Sequence, residues 1–328
     1  MEKIEEYKSI FFSIINGYSI AFNSSFGQIF IKHFSCIETA KFEVQYETYL
    51  NDAKSQGILI FKEKESQIIK DGLWKENDEI NLEINEKIIQ DLKINYSKEY
   101  LFSRRQNIKK EIESFQNKIG SLRLKKAHFI GQVAEDFAYR RLIYDKIINS
   151  FFKDELCLNP LVIDNQIEDN EYNELQKIFY IYQEKINMDN IKKIALSPFF
   201  TNIYYLCKDD AYSFYGKPII QLTTYQCDLV SFGNYFKNIL SERQDIPREI
   251  MSDPNQLIEW IEIRNNAQKA GIIGNDNESS DGSKSILGGT KKDLEILGIK
   301  TEERFSLKKE LEKSGGKLDA TKLFELTG

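Results

Sequence analysis

Histidine is nearly missing from this chain: His33 and His128 are the only two in 328 residues. Cysteine is scarce as well, and Cys36, Cys157, Cys207 and Cys227 include no C-x-x-C pair. Zinc ribbons and redox motifs need such pairs, and a metal centre needs three or four ligands close together. His128, Glu135 and Asp136 share a helical stretch. At about 1.5 Å of rise per residue, though, His128 and Glu135 stand roughly 10 Å apart, too far to share one ion. Neither a metal nor another cofactor is expected, and the scattered thiols read as free, mostly buried groups in a reducing cytoplasm. Long apolar runs are lacking too. The longest, such as Ile178–Tyr182 and Ile203–Cys207, fall far short of the roughly 20 residues that span a bilayer. The opening Met1-Glu2-Lys3-Ile4-Glu5-Glu6 has neither the basic start nor the apolar core of a signal peptide. An excess of basic charge is also missing, since the net charge is −6. That excludes a globally basic nucleic-acid coat but leaves room for a local basic patch.

Catalytic motifs are equally thin. His33-x-x-Cys36 has no glycine turn that could build an oxyanion site, so His33 reads as a structural residue. Gly315-Gly316-Lys317 and Gly288-Gly289-Thr290-Lys291-Lys292 lack phosphate-loop spacing and read as helix caps and turns. No G-x-S-x-G, H-E-x-x-H or D-x-D-x-D-G occurs. Glu168-Asp169 and Asp209-Asp210 read as solvated surface. No catalytic residue is assigned, and a non-enzymatic chain is expected.

What the chain does contain is a strong helical pattern. Proline is rare, with five residues, the first at Pro160, so nothing of that kind breaks the preceding stretch. A helix is expected over 3–16. Two β-prone runs, Tyr18–Phe22 and Gln28–Ile31, flank Asn23-Ser24-Ser25-Phe26-Gly27 and predict a hairpin that must pack on something. Ser35-Cys36-Ile37-Glu38 fits a capping box and starts a helix to about Ser55, with a second to about Lys70. Ile80, Ile84, Ile88 and Leu92 recur every four residues, and Leu101, Ile108, Ile112, Phe115, Ile119 and Leu122 follow a 7, 4, 3, 4, 3 spacing. They predict a long coiled-coil-like helical hairpin, bent near Asn95–Ser97, with Gly120 and Gly131 as weak points. Aromatic-rich helices follow at about 170–185, 189–206, 224–242 and 254–268. Thr223-Thr224-Tyr225-Gln226 and Asp253-Pro254 mark two of their starts, and Ser197-Pro198 splits the second helix.

The segments so drawn are a hairpin-plus-helix unit at 1–76, the long helical hairpin at 77–154, a helical core at 155–269, a Gly-, Ser-, Asn- and Asp-rich linker at 270–288, and a docking segment at 289–328. The last holds helix signals at Thr290, Ser306 and Asp319. Its apolar residues, among them Leu294, Leu297, Leu323 and Phe324, are enough to cover a partner's groove but few for an independent core. Between Lys98 and Lys126 nine basic residues face three acidic ones. Arg104, Arg105, Lys109 and Lys110 lead that stripe. It can contact phosphates, meet an acidic protein, or pair internally with the acidic helix at 76–91. Tyr215, Lys217 and Pro218, on a turn before a helix cap, can form a rigid partner-binding corner.

Ala195-Leu196-Ser197-Pro198-Phe199-Phe200, then Tyr215-Gly216-Lys217-Pro218 with Leu222-Thr223-x-Tyr225-Gln226, resembles proteins of large contractile-tailed bacteriophages. Gly289-Thr290-Lys291-Lys292-Asp293-Leu294 through Leu297-Gly298-Ile299 resembles the end of the same group, which is associated with tail and baseplate-hub assembly. The resemblance runs from Ala195 onward. It implies a non-enzymatic assembly factor, chaperone or minor structural subunit of virion morphogenesis, located in the host cytoplasm or the virion. Its partners would be other tail or baseplate proteins, with self-association through the helical hairpin, and no membrane. The alternative is a nucleic-acid-associated protein using the stripe at 98–126.

Overall fold

A computed structural model describes residues 2–163, 167–243, 245–273 and 289–299. These residues form thirteen α-helices and one three-stranded antiparallel sheet, the mainly α architecture with a small N-terminal hairpin that the sequence predicts. They gather into two compact units. One holds the residues up to Leu73 with His128–Asn255; the other holds Trp74–Ala127 with the described residues from Gln256 onward.

In the first unit, α1 (Glu2–Asn16) ends at Gly17. The Gly17 N–H donates to Ser13 O at 3.0 Å while its φ of +77° turns the chain into the sheet, a left-handed cap that favours glycine. Strands β1 (Tyr18–Asn23) and β2 (Gly27–Lys32) pair from Tyr18↔Lys32 to Asn23↔Gly27. Asn23 Oδ1 accepts from the amides of Ser25 and Phe26 and so closes the turn. What the hairpin packs on includes a third strand that the sequence did not announce: β3 (Phe151–Phe152) pairs Phe151 with Ile31 and Phe152 with Phe30. Two residues are too few to show a period.

Helix α2 (Cys36–Ser55) starts with the expected reciprocal box between Ser35 and Glu38. It packs along α6 (Ala134–Ile148), where Gln45 Nε2 and the Tyr49 hydroxyl both donate to Asp145. Helix α3 (Phe61–Lys70) presents its first amide to the Glu135 carboxylate at 2.9 Å. Helix α7 (Asp169–Lys185) places Leu175 and Phe179 against Ala21, Ile29, Ile31, Ile147 and Phe151, one buried cluster under the sheet. Ser197-Pro198 does split its helix, into α8 (Met188–Ala195) and α9 (Pro198–Leu206). A short α10 (Ala211–Tyr215) and a 3-10 turn (Ile219–Gln221) lead to α11 (Thr224–Glu242). Helix α11 packs on α8. Its Gly233 leaves room for the stacked rings of Phe200 and Tyr204 of α9.

In the second unit, α4 (Glu76–Lys98) and α5 (Phe102–Ile130) form the helical pair. Glu99 breaks the chain between them by accepting from the amides of Tyr100 and Leu101. The α5 seam of Ile112, Phe115, Ile119 and Leu122 packs inward as expected, but on Leu82 and Ile89. Ile80 and Ile84 are exposed, which corrects the four-residue pattern. A spacing of four moves about 40° round a helix at each step, whereas a spacing of seven drifts about 20° and holds a face. Gly120 does not interrupt α5, while Gly131 lies beyond its end with φ +67°. Helix α12 (Pro254–Lys269) and α13 (Lys291–Ile296) complete the unit. Leu101, Ile263, Ala267 and Leu297 form its second buried cluster.

Contacts group the chain differently from composition: α6, placed with the long hairpin at 77–154, packs on α2. Most of the linker at 270–288, the helix signals at Ser306 and Asp319, and Leu323 and Phe324 lie outside the described residues.

Candidate functional site

The basic stripe is largely consumed within its own unit. Arg105 is 0% exposed. Its guanidinium stacks on Tyr96 at 4.0 Å, donates to Glu262 and Glu99 O and lies 3.8 Å from Glu259. It is therefore no surface contact for a partner, and that assignment is corrected: an interior tyrosine ring and two carboxylates outcompete solvent for it. Lys109 pairs with Glu259 at 2.9 Å. Burial works against its charge, but the Glu259 and Tyr96 contacts prevail and hold its ammonium above the usual lysine range. Arg123 pairs with Glu86 at 2.7 Å, Lys125 with Asp78 at 3.3 Å and Lys126 with Glu79 at 2.7 Å. These are acidic residues of α4, so the internal pairing weighed from the sequence is the arrangement found. Arg104 lies 3.9 Å from Glu99, and Lys110 is exposed.

The corner before α11 is built from the first unit alone. Asp210 caps α10 through the Ser213 amide at 2.7 Å, and Gly216, with φ +66°, ends it. Tyr215 points its hydroxyl inward, buried and without a hydrogen-bond partner, and burial pushes its phenol up. Lys217 and Pro218 stay exposed. Asp209 and Asp210 are not merely solvated surface: Asp209 pairs with Lys237, and its carbonyl accepts from the Tyr204 hydroxyl at 2.6 Å. Glu168 likewise is the N-cap residue of α7.

Lys217 lines a cleft of about 410 Å³ with Lys32, Glu38, Glu155, Ser35 and Thr223. Two N-caps meet there in an antiparallel bridge, Ser35↔Thr223. Gln226 completes the box with Thr223 and also donates from Nε2 to Ile14 O at 2.9 Å and Ile15 O at 3.1 Å. One buried amide thereby satisfies the end of α1 and the start of α11. Lys32 donates to Glu38 at 2.5 Å. Burial disfavours the Glu38 charge, yet the hydrogen bonds from Lys32 and Ser35 outweigh it and hold the carboxyl below its usual range. Burial pushes the Cys157 thiol up to about 11, against the opposing pull of Lys32. Glu38 is paired with Lys32, while Lys217 is exposed, so the cleft presents polar and charged groups of both signs.

His33 also lines this cleft, but it is only 8% exposed, with Nε2 2.9 Å from Ser19 Oγ. Burial lowers its imidazole to about 4. Ser19 is 1% exposed, and the cavity beside it is about 50 Å³, room for little more than water. The pair joins β1 to the end of β2.

No family model, no curated protein and no solved structure matches the chain.

Of the remaining sequence candidates, Leu297 is buried in the second unit and Leu294 is half-buried, so the start of the docking segment docks on its own chain. Among the described residues no helix is long and apolar enough to cross a membrane. Sequence reasoning missed a row of exposed apolar side chains from Leu206 to Ile220. Its signal was there in the adjacent Ile219-Ile220, next to a proline and outside any amphipathic period.

Proposed function

We propose that the chain is a non-enzymatic, protein-binding component of phage tail or baseplate assembly, acting in the host cytoplasm or retained in the virion. The observation that carries the binding role is the apolar row on the first unit. Leu206 is 84% exposed, Tyr212 61%, Ile219 67% and Ile220 57%. Single exposed apolar side chains are ordinary, and four of them between Leu206 and Ile220 are what supports a binding role here. The row borders Tyr215, Lys217 and Pro218, inside the segment whose motifs resemble tail and baseplate-hub proteins, and the phage context rests on that resemblance. The nucleic-acid alternative loses support because the stripe's charges at Arg105, Lys109, Arg123, Lys125 and Lys126 are paired.

The test is affinity capture on the full chain from lysate of phage-infected cells, with and without nuclease treatment, beside an Ile219→Asp/Ile220→Asp variant. Tail or baseplate proteins should be retained by the wild type and reduced at least about tenfold by the variant, as expected where both side chains contact the partner. Circular dichroism should be unchanged, since both residues are exposed. Recovery of nuclease-sensitive material alone would remove the assembly role.

A further inference from the structure

Cys36 and Cys227 stand 191 positions apart in sequence, and the fold brings their sulfurs to 3.8 Å. The approach is set by backbone. Cys36 is the first residue of α2 and Cys227 lies in the first turn of α11. The caps ahead of them face each other in the Ser35↔Thr223 bridge, and the Cys36 N–H donates to Leu222 O at 3.0 Å. Both capping boxes are complete and fix each helix start locally, and separating the two starts would break the bond from Cys36 N–H to Leu222 O. Both thiols are free and half-buried. A disulfide needs its sulfurs at about 2.05 Å, so they have to close by roughly 1.8 Å, within reach of side-chain rotation at two cysteines.

We propose that Cys36 and Cys227 are a redox modification site: exposed to hydrogen peroxide, they form a reversible disulfide that ties the start of α2 to the start of α11. In the first step the Cys36 thiolate attacks one peroxide oxygen. An S–O bond forms, the O–O bond breaks, and the other oxygen leaves as hydroxide, which takes up the proton the Cys36 thiol had released and becomes water, giving a sulfenic acid. In the second step Cys227 Sγ attacks the Cys36 sulfur. The S–S bond forms, the S–O bond breaks, and the hydroxyl leaves as a second water with the Cys227 proton. Two thiols lose two electrons, and one peroxide is reduced to two waters. Burial pushes the Cys227 thiol up to about 11, with its hydrogen bond to Cys36 adding to the effect. Cys227 therefore remains protonated at neutral pH and acts second, as the resolving thiol.

The test treats the full chain with graded hydrogen peroxide, alkylates the remaining thiols, and maps peptides by mass spectrometry. The wild type should lose two hydrogens in mass and take two alkylations instead of four. It should yield a Cys36–Cys227 linked peptide, with Cys157 and Cys207 alkylated, and dithiothreitol should reverse all of this. The oxidised protein should melt roughly 5 °C or more above the reduced form, because the link closes a long loop. Cys36→Ser and Cys227→Ser should each abolish both the linked peptide and the shift. Oxidation that ends in sulfinic acid at either cysteine, or that links other pairs or separate molecules, would overturn the proposal. The wild-type peptide map decides between these outcomes even where a serine variant does not fold.

Discussion

Burying His33 against Ser19 ties the stability of the first unit to acid. An exposed imidazole titrates near 6.5, while burial lowers His33 to about 4. Between those values the unfolded chain binds a proton that the folded chain refuses. Stability is therefore full above about pH 6.5 and falls as the pH drops toward 4, by roughly 3 kcal/mol over the window. Urea unfolding at pH 7, 5.5 and 4.5 should show that decline, and His33→Asn should flatten it by about one proton even where it lowers the plateau. An unchanged slope in His33→Asn would mean that His33 is protonated in the folded state. Glu38 and Asp293 act lower down. Their folded carboxyls lie below the usual range, so their contribution is present above that range and lost as pH falls through it. Arg105 poses the opposite problem, a permanent charge with 0% exposure. Arg105→Met leaves Glu259 and Glu262 facing an uncharged side chain and should cost about 3 kcal/mol in urea unfolding. Arg105→Lys should recover only part, because an ammonium cannot lie flat on the Tyr96 ring.

At the scale of elements, what the sequence announced was local. Ser35–Glu38, Thr223–Gln226 and Thr290–Asp293 all form the reciprocal boxes their residue types allow, since a cap is written within four residues. The split at Ser197-Pro198 was legible for the same reason. The buried face of α4 was not: apolar residues stand at 80, 82, 84, 88, 89, 92 and 94, on more than one face, and only the facing seam of α5 selects Leu82 and Ile89 over Ile80 and Ile84. Strand β3 and helix α10 are too short to leave a period. Two glycines show how packing decides what composition cannot. A Cβ on Gly233 would stand 2.8 Å from Phe200 Cε1 and 3.3 Å from Tyr204 Cε1, both on buried rings. Gly233→Ala should thus destabilise by about 1–3 kcal/mol despite better helix propensity. A Cβ on Gly120, inside α5, meets nothing within 4 Å. Gly120→Ala should stabilise by roughly 0.5–1 kcal/mol. Thermal melts of the two variants should move in opposite directions.

Over the whole chain, the contacts hidden from sequence are those between distant residues. The corner at Tyr215–Pro218 could be located by its turn chemistry, but nothing local told that the Tyr215 hydroxyl turns inward. The stripe at 98–126 could be counted, but not that Arg105 meets Glu262. Asp293 carries this furthest and bears on function. It completes the cap of α13 with Thr290 and, 190 positions from Ser103, accepts from the Ser103 amide at 2.8 Å and its hydroxyl at 2.7 Å. That amide belongs to the first turn of α5, where amides have no carbonyl of their own helix to donate to. One buried carboxylate thus starts two helices, while Leu297 fills the cluster of Leu101, Ile263 and Ala267. Asp293→Ala should cost about 2 kcal/mol, and hydrogen exchange should quicken in the first turns of α5 and α13 together. Leu297→Ala should add about 2–3 kcal/mol through the cavity it leaves. If exchange in α5 stays unchanged in Asp293→Ala, residues 289–299 are not held by their own unit, and Leu294 and Leu297 are open to a partner. If it quickens as argued, a partner that takes this segment must first displace it from the chain, and binding through it should weaken as the segment's own docking is strengthened.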